Sequence, residues 1–465
     1  MVNSLTAPFE YETGPSTPCH QAIFGTSALL NPRSLVKEPL LTLPGICLDG
    51  TSGFSIDEKT LSRHLLLLGG SGCGKTTVFE HMLHRLIPCM TDKDFAIIFD
   101  TKGEYYDLFH GKDDYVIGNG GSFRDISMTW NIFDEVLADG WNDVDVTINA
   151  HEIAAALFHG RGSSSQPFFC NAARDIFAAT LIHFIRSFKR NPEKWGKRLN
   201  NADLLQAFKR NKAKDYISIF SYYPDMNGLL TYFGDGKSNQ ALGVFGELNS
   251  MISDYFIGVF ADHKPGRSGS MRNAVRKRGG RILFVEYDLS VGETLSPIYR
   301  LLFDQVLKEA LSRQNRSSEE RGKVYVVTDE FKLLPQLQHI DDALNFGRGL
   351  GVNVLAGIQS IDQLYDIYGR DKGAVIASGF GSIFAFHTND DSSRDYITRR
   401  FGSNVVNYSY YSSIQNKMCV RERDGATVEN WDQINLGLGQ AFIGLGYDPP
   451  FLFQFDDYKE GGLHR

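Results

Sequence analysis

What is missing from this 465-residue sequence narrows it first. Its six cysteines (19, 47, 73, 89, 170 and 419) form no C-x-x-C pair, so the spacing gives neither a zinc site nor a disulfide framework, and reduced thiols are expected. The amino terminus, MVNSLTAPFEYETGPSTP, has acidic residues and no apolar core, which excludes a signal peptide. No stretch approaches the roughly eighteen consecutive apolar residues that a membrane span needs. A soluble, cytoplasmic protein without a transmembrane segment is therefore expected. There is no basic excess either: the net charge of -7 argues against a surface coated in cations, while leaving room for a local nucleic-acid channel. Internal repeats and low-complexity tracts are absent too. Hydrophobic residues at 42% and charged residues at 22% are ordinary for a folded protein with room for two or three units.

What is there begins at residues 65–81, LLLLGGSGCGKTTVFEH. The spacing Gly69, four residues, Gly74, Lys75, Thr76 fits the phosphate-binding loop G-x-x-x-x-G-K-[ST], with an apolar strand before it and a helical pattern after it. The glycines let successive backbone N–H groups converge on phosphate, and the following helix adds the positive end of its dipole. Gly69, Gly70, Ser71, Gly72, Cys73, Gly74, Lys75, Thr76 and Thr77 are thus the expected ATP-binding residues. Lys75 supplies a full charge to the phosphates, and the Thr76 hydroxyl is a ligand for Mg²⁺.

Strand-like runs FAIIFD (95–100), RILFVEYDL (281–289), KVYVVTDEF (323–331), NVLAGIQS (353–360), SIFAFHT (382–388) and AFIGLG (441–446) are spaced by helical patterns. That alternation predicts a doubly wound, mostly parallel sheet. Residues 145 to about 262 instead carry helix-period stretches, the clearest being PFFCNAARDIFAATLIHFIRSFKR (167–190). The expected class is α/β, a RecA-like P-loop ATPase interrupted by an all-α insert. The division is an irregular lead-in over 1–60, a first nucleotide-binding half over 61–144, an all-α domain over 145–275 and a second half over 276–465.

In VYVVTDE, Asp329 and Glu330 sit at the carboxyl end of an apolar strand, where ligands lie in an open parallel sheet. Asp329 is the expected partner of Thr76 at Mg²⁺, and Glu330 the residue that orients or deprotonates the attacking water. Gln359 ends the NVLAGIQS strand and can sense the γ-phosphate or position water. Arg348, in the glycine-flanked NFGRGLGVN, could reach a neighbouring subunit's γ-phosphate, though a plain surface arginine fits as well. The run KPGRSGSMRNAVRKRGGR holds Lys264, Arg267, Arg272, Arg276, Lys277, Arg278 and Arg281 without an acidic residue. It is read as a nucleic-acid phosphate contact, a second source of a trans arginine, or a solvated basic turn.

Taken together, GGSGCGKTT, FDTKGEYYDLF, WNIFDEV, SQPFFCNAARDIFAATLIHFI, RILFVEYDLS, TDEFKLLPQLQHIDDALNFGRGLGVNVLAGIQSIDQLYDIYG and FHTNDDSSRDYITRRFG resemble type IV secretion coupling proteins. These are the VirD4/TraG/TraD-like conjugative DNA-transfer ATPases of the FtsK–HerA group. The resemblance covers roughly residues 60 to 405 and includes the helical insert. Asp100, Lys102, Gly103 and Glu104 match that family's D-x-K-G-E, and Gln359-Ser360 its Q-S segment. It implies a hexameric motor that uses ATP and Mg²⁺ to move DNA, usually single-stranded with an attached relaxase, toward a secretion channel, the insert recognising substrate. Without transmembrane helices of its own, such a chain is expected to borrow a membrane-anchor partner or to act on cytosolic DNA. The alternatives are a coupling ATPase whose cargo is secreted protein effectors, a HerA/FtsK-like translocase, and an adaptor that ATP only switches.

Overall fold

The computed structural model describes residues 19–22, 38–48, 50–161, 167–234, 238–312, 322–412, 415–446 and 450–463. Its frame is an 11-stranded sheet. Seven neighbouring strands run parallel, in the order Tyr115–Ile117, Arg281–Glu286, Phe95–Asp100, Val324–Thr328, Val352–Ile358, Leu65–Leu68 and Ser382–Phe386. Four more continue it antiparallel: Gln440–Leu445, Phe451–Phe455, Leu41–Cys47 and Ser52–Ile56. The central strands are buried on both faces, which is why they read as unbroken apolar runs. Their side chains alternate between two cores. Leu66, Leu68, Phe95, Ile97 and Phe99 belong to one. Leu65, Leu67, Ala96 and Ile98 belong to the other, with Val78, Phe79, Met82 and Leu83 of the helix Lys75–Leu86.

The expectation of an irregular lead-in does not hold for residues 41–56. Leu41–Cys47 and Ser52–Ile56 are paired antiparallel strands at the sheet's edge, with a register shift between Leu43 and Ile46. Their signal was hidden because the partner strand, Phe451–Phe455, lies some four hundred residues away. Of the rest of that lead-in only Cys19–Ala22 and 38–40 are described before the hairpin. Cys19–Ala22 pairs with one arm of a long antiparallel hairpin, Ser403–Ser412 with Lys417–Ala426.

Between the sheet strands Tyr115–Ile117 and Arg281–Glu286 the described residues are mainly helical, including Asp143–Phe158, Pro167–Arg190, Asn201–Arg210, Ala213–Ser221 and Asn239–Tyr255. Pro167–Arg190 is long and apolar enough to cross a membrane by length and composition, with a mean hydropathy of 1.3 over its most apolar window. That window is 67% buried by the neighbouring helices, as a core helix would be. The outgoing and returning chains pair at Thr129–Trp130 and Ser268–Gly269. Buried Asn201 clasps this joint: its Nδ2 donates to Trp130 O (2.8 Å) and Phe260 O (2.7 Å), and its Oδ1 accepts from Ile132 N (3.0 Å).

Candidate nucleotide site

The strand Leu65–Leu68 delivers the chain to the carboxyl edge of the sheet, and the helix Lys75–Leu86 carries it away. The loop between them is tight for a steric reason. A Cβ on Gly69 would stand 2.5 Å from Phe386 Cβ, and Gly72 and Gly74 adopt φ of 73° and 106°, a region that side-chain-bearing residues avoid. Lys75 is 7% exposed. Its Nζ donates to the carbonyls of Gly69 (2.6 Å) and Gly70 (2.9 Å), which folds its charge back over the loop.

Register brings the acids to this loop. Val324–Thr328 pairs with Val352–Ile358, which pairs with Leu65–Leu68, so Asp329 and Gln359 emerge beside Gly69. Thr76 Oγ1 donates to Asp329 Oδ2 at 2.7 Å. Tyr105 OH donates to the same oxygen at 3.0 Å. Gln359 Nε2 donates to Glu330 Oε2 at 2.7 Å. Burial pushes the Glu330 carboxyl up, and the Gln359 hydrogen bond and the Lys75 charge oppose it. Ser71, Gly72, Gly74, Lys75, Thr76, Thr77, Asp329, Glu330 and Gln359 all line a single cleft.

The donor set fits ATP with Mg²⁺. Thr76 and Asp329 already converge and could hold a divalent cation, directly or through water. The loop N–H groups and Lys75 could hold the phosphates.

Sequence reasoning left several cleft residues unassigned. Thr101 and Lys102 line it from the turn after Phe95–Asp100, where Asp100 accepts from the N–H groups of Lys102, Gly103 and Tyr106. The D-x-K-G-E pattern was the available signal. Behind the cleft, Tyr105 is buried in the helix Glu104–Phe109 that follows the turn, and nothing in its spacing marks it as a partner of Asp329. Glu80 faces Glu104 and Asp329, and burial together with those two charges pushes it up to about 7. Leu289 and Leu438 stand on the rim, 75% and 72% exposed. Leu438 is carried by the loop whose Gly439 N–H donates to Cys73 O (3.1 Å).

The remaining candidates lie elsewhere. Arg348 is exposed on the turn Gly347–Leu350, before the amino end of Val352–Ile358. One strand length separates it from Gln359, roughly 20 Å, so it does not reach this chain's own cleft. The basic run is not an open cationic strip. Arg272 is 3% exposed. It bridges Asp139 (2.7 and 2.6 Å) and Glu309 (2.9 Å). Arg276 binds the same two carboxylates at 2.7 to 2.9 Å. Both carboxylates lie far away in sequence, which is why a run without local acids looked uncompensated. Lys264 Nζ donates to Arg124 O (2.6 Å), Arg278 to Lys93 O (2.9 Å) and Arg281 to Tyr115 OH (2.7 Å). Arg267 and Lys277 are exposed.

The model of the type IV secretion-system coupling protein DNA-binding domain matches residues 50–430. The chain belongs to that family. Among curated coupling-protein relatives, it is 33% identical over 110 residues to protein VirD4 of Agrobacterium fabrum, covering 24% of this chain and 16% of that protein. It is 29% identical over 143 residues to the probable conjugal transfer protein TraG of Sinorhizobium fredii, covering 30% and 22%. These matches span less than a quarter of either relative. The fold likeness is more extensive. The bacterial conjugative coupling protein TrwB, in an unbound form, superposes with a TM-score of 0.72 at 18% identity, over 99% of this chain and 98% of the other. TrwB in complex with a non-hydrolysable ATP analogue gives 0.69 at 17% identity, over 99% and 98%. The mixed α/β, RecA-like fold with helical additions is thus that of a coupling protein.

Proposed function

We propose that this chain hydrolyses ATP to recruit DNA, single-stranded and with a relaxase attached, and to move it toward a type IV secretion or conjugation channel. The observation that carries the reading is the convergence of Lys75, the Thr76–Asp329 pair and the Glu330–Gln359 pair on one cleft. Lys75 turns from the loop carbonyls to the β- and γ-phosphates. Thr76 and Asp329 would hold Mg²⁺, which when bound would supply charge neutralisation at the phosphates. Tyr105, through Asp329 Oδ2, keeps that carboxylate facing the threonine. Glu330 accepts the proton of the attacking water, its basicity raised by burial, while Gln359 fixes the carboxylate's orientation. Arg348, too far from its own cleft, serves a neighbouring subunit's γ-phosphate in a ring, a homo-hexamer when active. A membrane-anchor partner recruits the chain to the inner face of the membrane.

The test is hydrolysis by the purified protein with and without single-stranded DNA. Stimulation by DNA is expected, and Glu330→Gln should retain ATP yet lose hydrolysis by orders of magnitude. Hydrolysis indifferent to DNA but raised by a secreted protein would replace DNA by protein cargo, and a Glu330→Gln variant at near-normal rate would remove Glu330 from the water.

A further inference from the structure

Among the large apolar side chains that this chain exposes, Leu438 is set apart by its mounting. A single leucine on a surface is ordinary. This one is 72% exposed on the rim of the nucleotide cleft, and the backbone beneath it is held from several sides. Gly439 N–H donates to Cys73 O at 3.1 Å, and Phe455 N–H donates to Gly439 O at 2.9 Å. Gln454 Nε2 donates to Leu438 O at 3.0 Å, and Gly437 N–H donates to Gln440 Oε1 at 2.8 Å. Gly439 adopts φ of 71°, and its Cα lies 3.3 Å from where a Cβ on Gly74 would stand. The turn 437–439 is therefore fixed against the phosphate loop, and it presents an apolar side chain to a cleft lined mainly by polar groups. Trp431 and Ile434, exposed on the preceding helix Asn430–Ile434, do not line that cleft.

Strand order decides which end of a nucleotide meets this leucine. Glu330 and Gln359 follow Val324–Thr328 and Val352–Ile358, both on one side of Leu65–Leu68. Gln440–Leu445 lies on the other side, beyond Ser382–Phe386, and being antiparallel it begins at the same edge of the sheet. A triphosphate laid along the loop with its γ end toward Glu330 therefore sends its ribose and base toward Leu438. The other exposed leucine on the rim, Leu289, follows Arg281–Glu286. That strand is four removed from Leu65–Leu68 on the γ side, about 19 Å across the sheet.

We propose that Leu438 is the platform on which the adenine ring of ATP lies. The proposal rests on the nucleotide-cleft reading above and adds to it the residue that holds the base. The flat face of the ring covers the leucine and removes from water an apolar surface that the fixed turn leaves exposed. The two amides beside it are already committed, Gln454 Nε2 to the carbonyls of Leu438 and Phe455 and Gln440 Oε1 to Gly437 N–H. They stiffen the mount, and the contact with the base is made through the face of its ring.

The experiment is isothermal titration calorimetry of the full chain, in Mg²⁺, with ADP and with ribose 5-diphosphate, which keeps both phosphates and the sugar but lacks the base. Wild-type protein is expected to bind ADP about ten-fold more tightly than the base-free ligand. Leu438→Ala should weaken ADP about five-fold and leave ribose 5-diphosphate unchanged, while Leu438→Met, of similar volume, should keep most of the ADP affinity. In steady state the KM for ATP should rise in Leu438→Ala by a similar factor with kcat unchanged, as for an interaction made equally before and during the reaction. Leu438→Ala that binds ADP like wild type, or that weakens both ligands equally, overturns the platform. So does a Leu438→Ala variant that keeps its ADP affinity but sediments differently, which assigns the leucine to a contact between subunits. Wild-type protein that binds both ligands equally overturns the platform alone, and wild-type protein that binds neither overturns the nucleotide-cleft reading with it.

Discussion

Replacing Arg272 by alanine separates two accounts of the basic run. In the structure the Arg272 side chain is 4% exposed, as is that of Glu309, and it spans Asp139 and Glu309 with hydrogen bonds of 2.6 to 2.9 Å. Burial alone would push Asp139 up, but Arg272, Asn149 and Arg276 together hold it well below the usual carboxylate range. Removing one partner of a buried ion pair costs about 3–5 kcal/mol, because the other charge stays desolvated. Arg276 still binds both carboxylates, which puts the expected loss near the lower end, about 3 kcal/mol. Unfolding in urea followed by circular dichroism reads it. With a slope on the order of 3 kcal/mol per M, the midpoint falls by about 1 M. Lys277→Ala, at an exposed position of the same helix, should stay within about 0.5 kcal/mol of wild type. If Arg272→Ala keeps the wild-type midpoint but loses DNA affinity and salt slope, the ion cluster is not structural and the phosphate-contact account of Arg272 returns.

Lys75→Ala should abolish ATP hydrolysis and weaken nucleotide binding, measured by phosphate release and equilibrium dialysis, since no other cation reaches into the loop from the helix. Glu80→Gln should shift the pH dependence of stability. A carboxyl raised from 4.5 to about 7 favours folding below its unfolded value, and that contribution is lost as pH rises through about 7. The melting temperature of Glu80→Gln relative to wild type should therefore climb between about pH 5 and pH 7, and a constant difference would deny that burial, with the Glu104 and Asp329 charges, raises this carboxyl. Arg348→Ala and Glu330→Gln subunits, each inactive alone, should recover some hydrolysis when mixed, because each supplies what the other lacks. No recovery from variants that assemble and bind ATP would exclude Arg348 as the trans cation, whose rate contribution is otherwise a thousand-fold or more.

The parallel half of the sheet was legible because its chemistry is local. LLLL, FAIIFD and VYVVT are short apolar runs buried on both faces, and at the same edge the first gives way to the glycine loop while the other two end in Asp100 and Thr328. The antiparallel half was partly opaque. LTLPGIC contains a proline and a glycine, and its burial alternates (Leu41, Leu43, Gly45 and Cys47 inward), so it offers no continuous run to read. Its pairing with Phe451–Phe455 joins the two ends of the chain, a contact that no window of residues can contain. The phosphate loop with Asp329, Glu330 and Gln359 was legible for a related reason: each begins within two residues of the end of a strand whose direction the pattern already fixed.

Charge was the least legible property, and the reason is geometric. A window of sequence reports which cations lie near one another along the chain, while compensation depends on which carboxylates lie near them in space. Arg272 and Arg276 have no acid within the run, yet Asp139 and Glu309 meet them from more than thirty residues away on either side. The stretch from Arg186 to Lys214 is mixed in sign, with Glu193 and Asp203 interspersed among its cations. There Asp203 is occupied in accepting from the Asn200 amide at 2.8 Å, and Arg198 and Arg210 remain exposed beside an aromatic-lined cavity. Within the run of uniform sign Arg272 and Arg276 are therefore neutralised while Arg267 and Lys277 stay exposed, and in the mixed stretch Arg198 and Arg210 reach solvent without an ion pair among the described residues. A DNA backbone responds to charge that is exposed and unmatched, and neither stretch can be ranked for it by the signs of its residues alone.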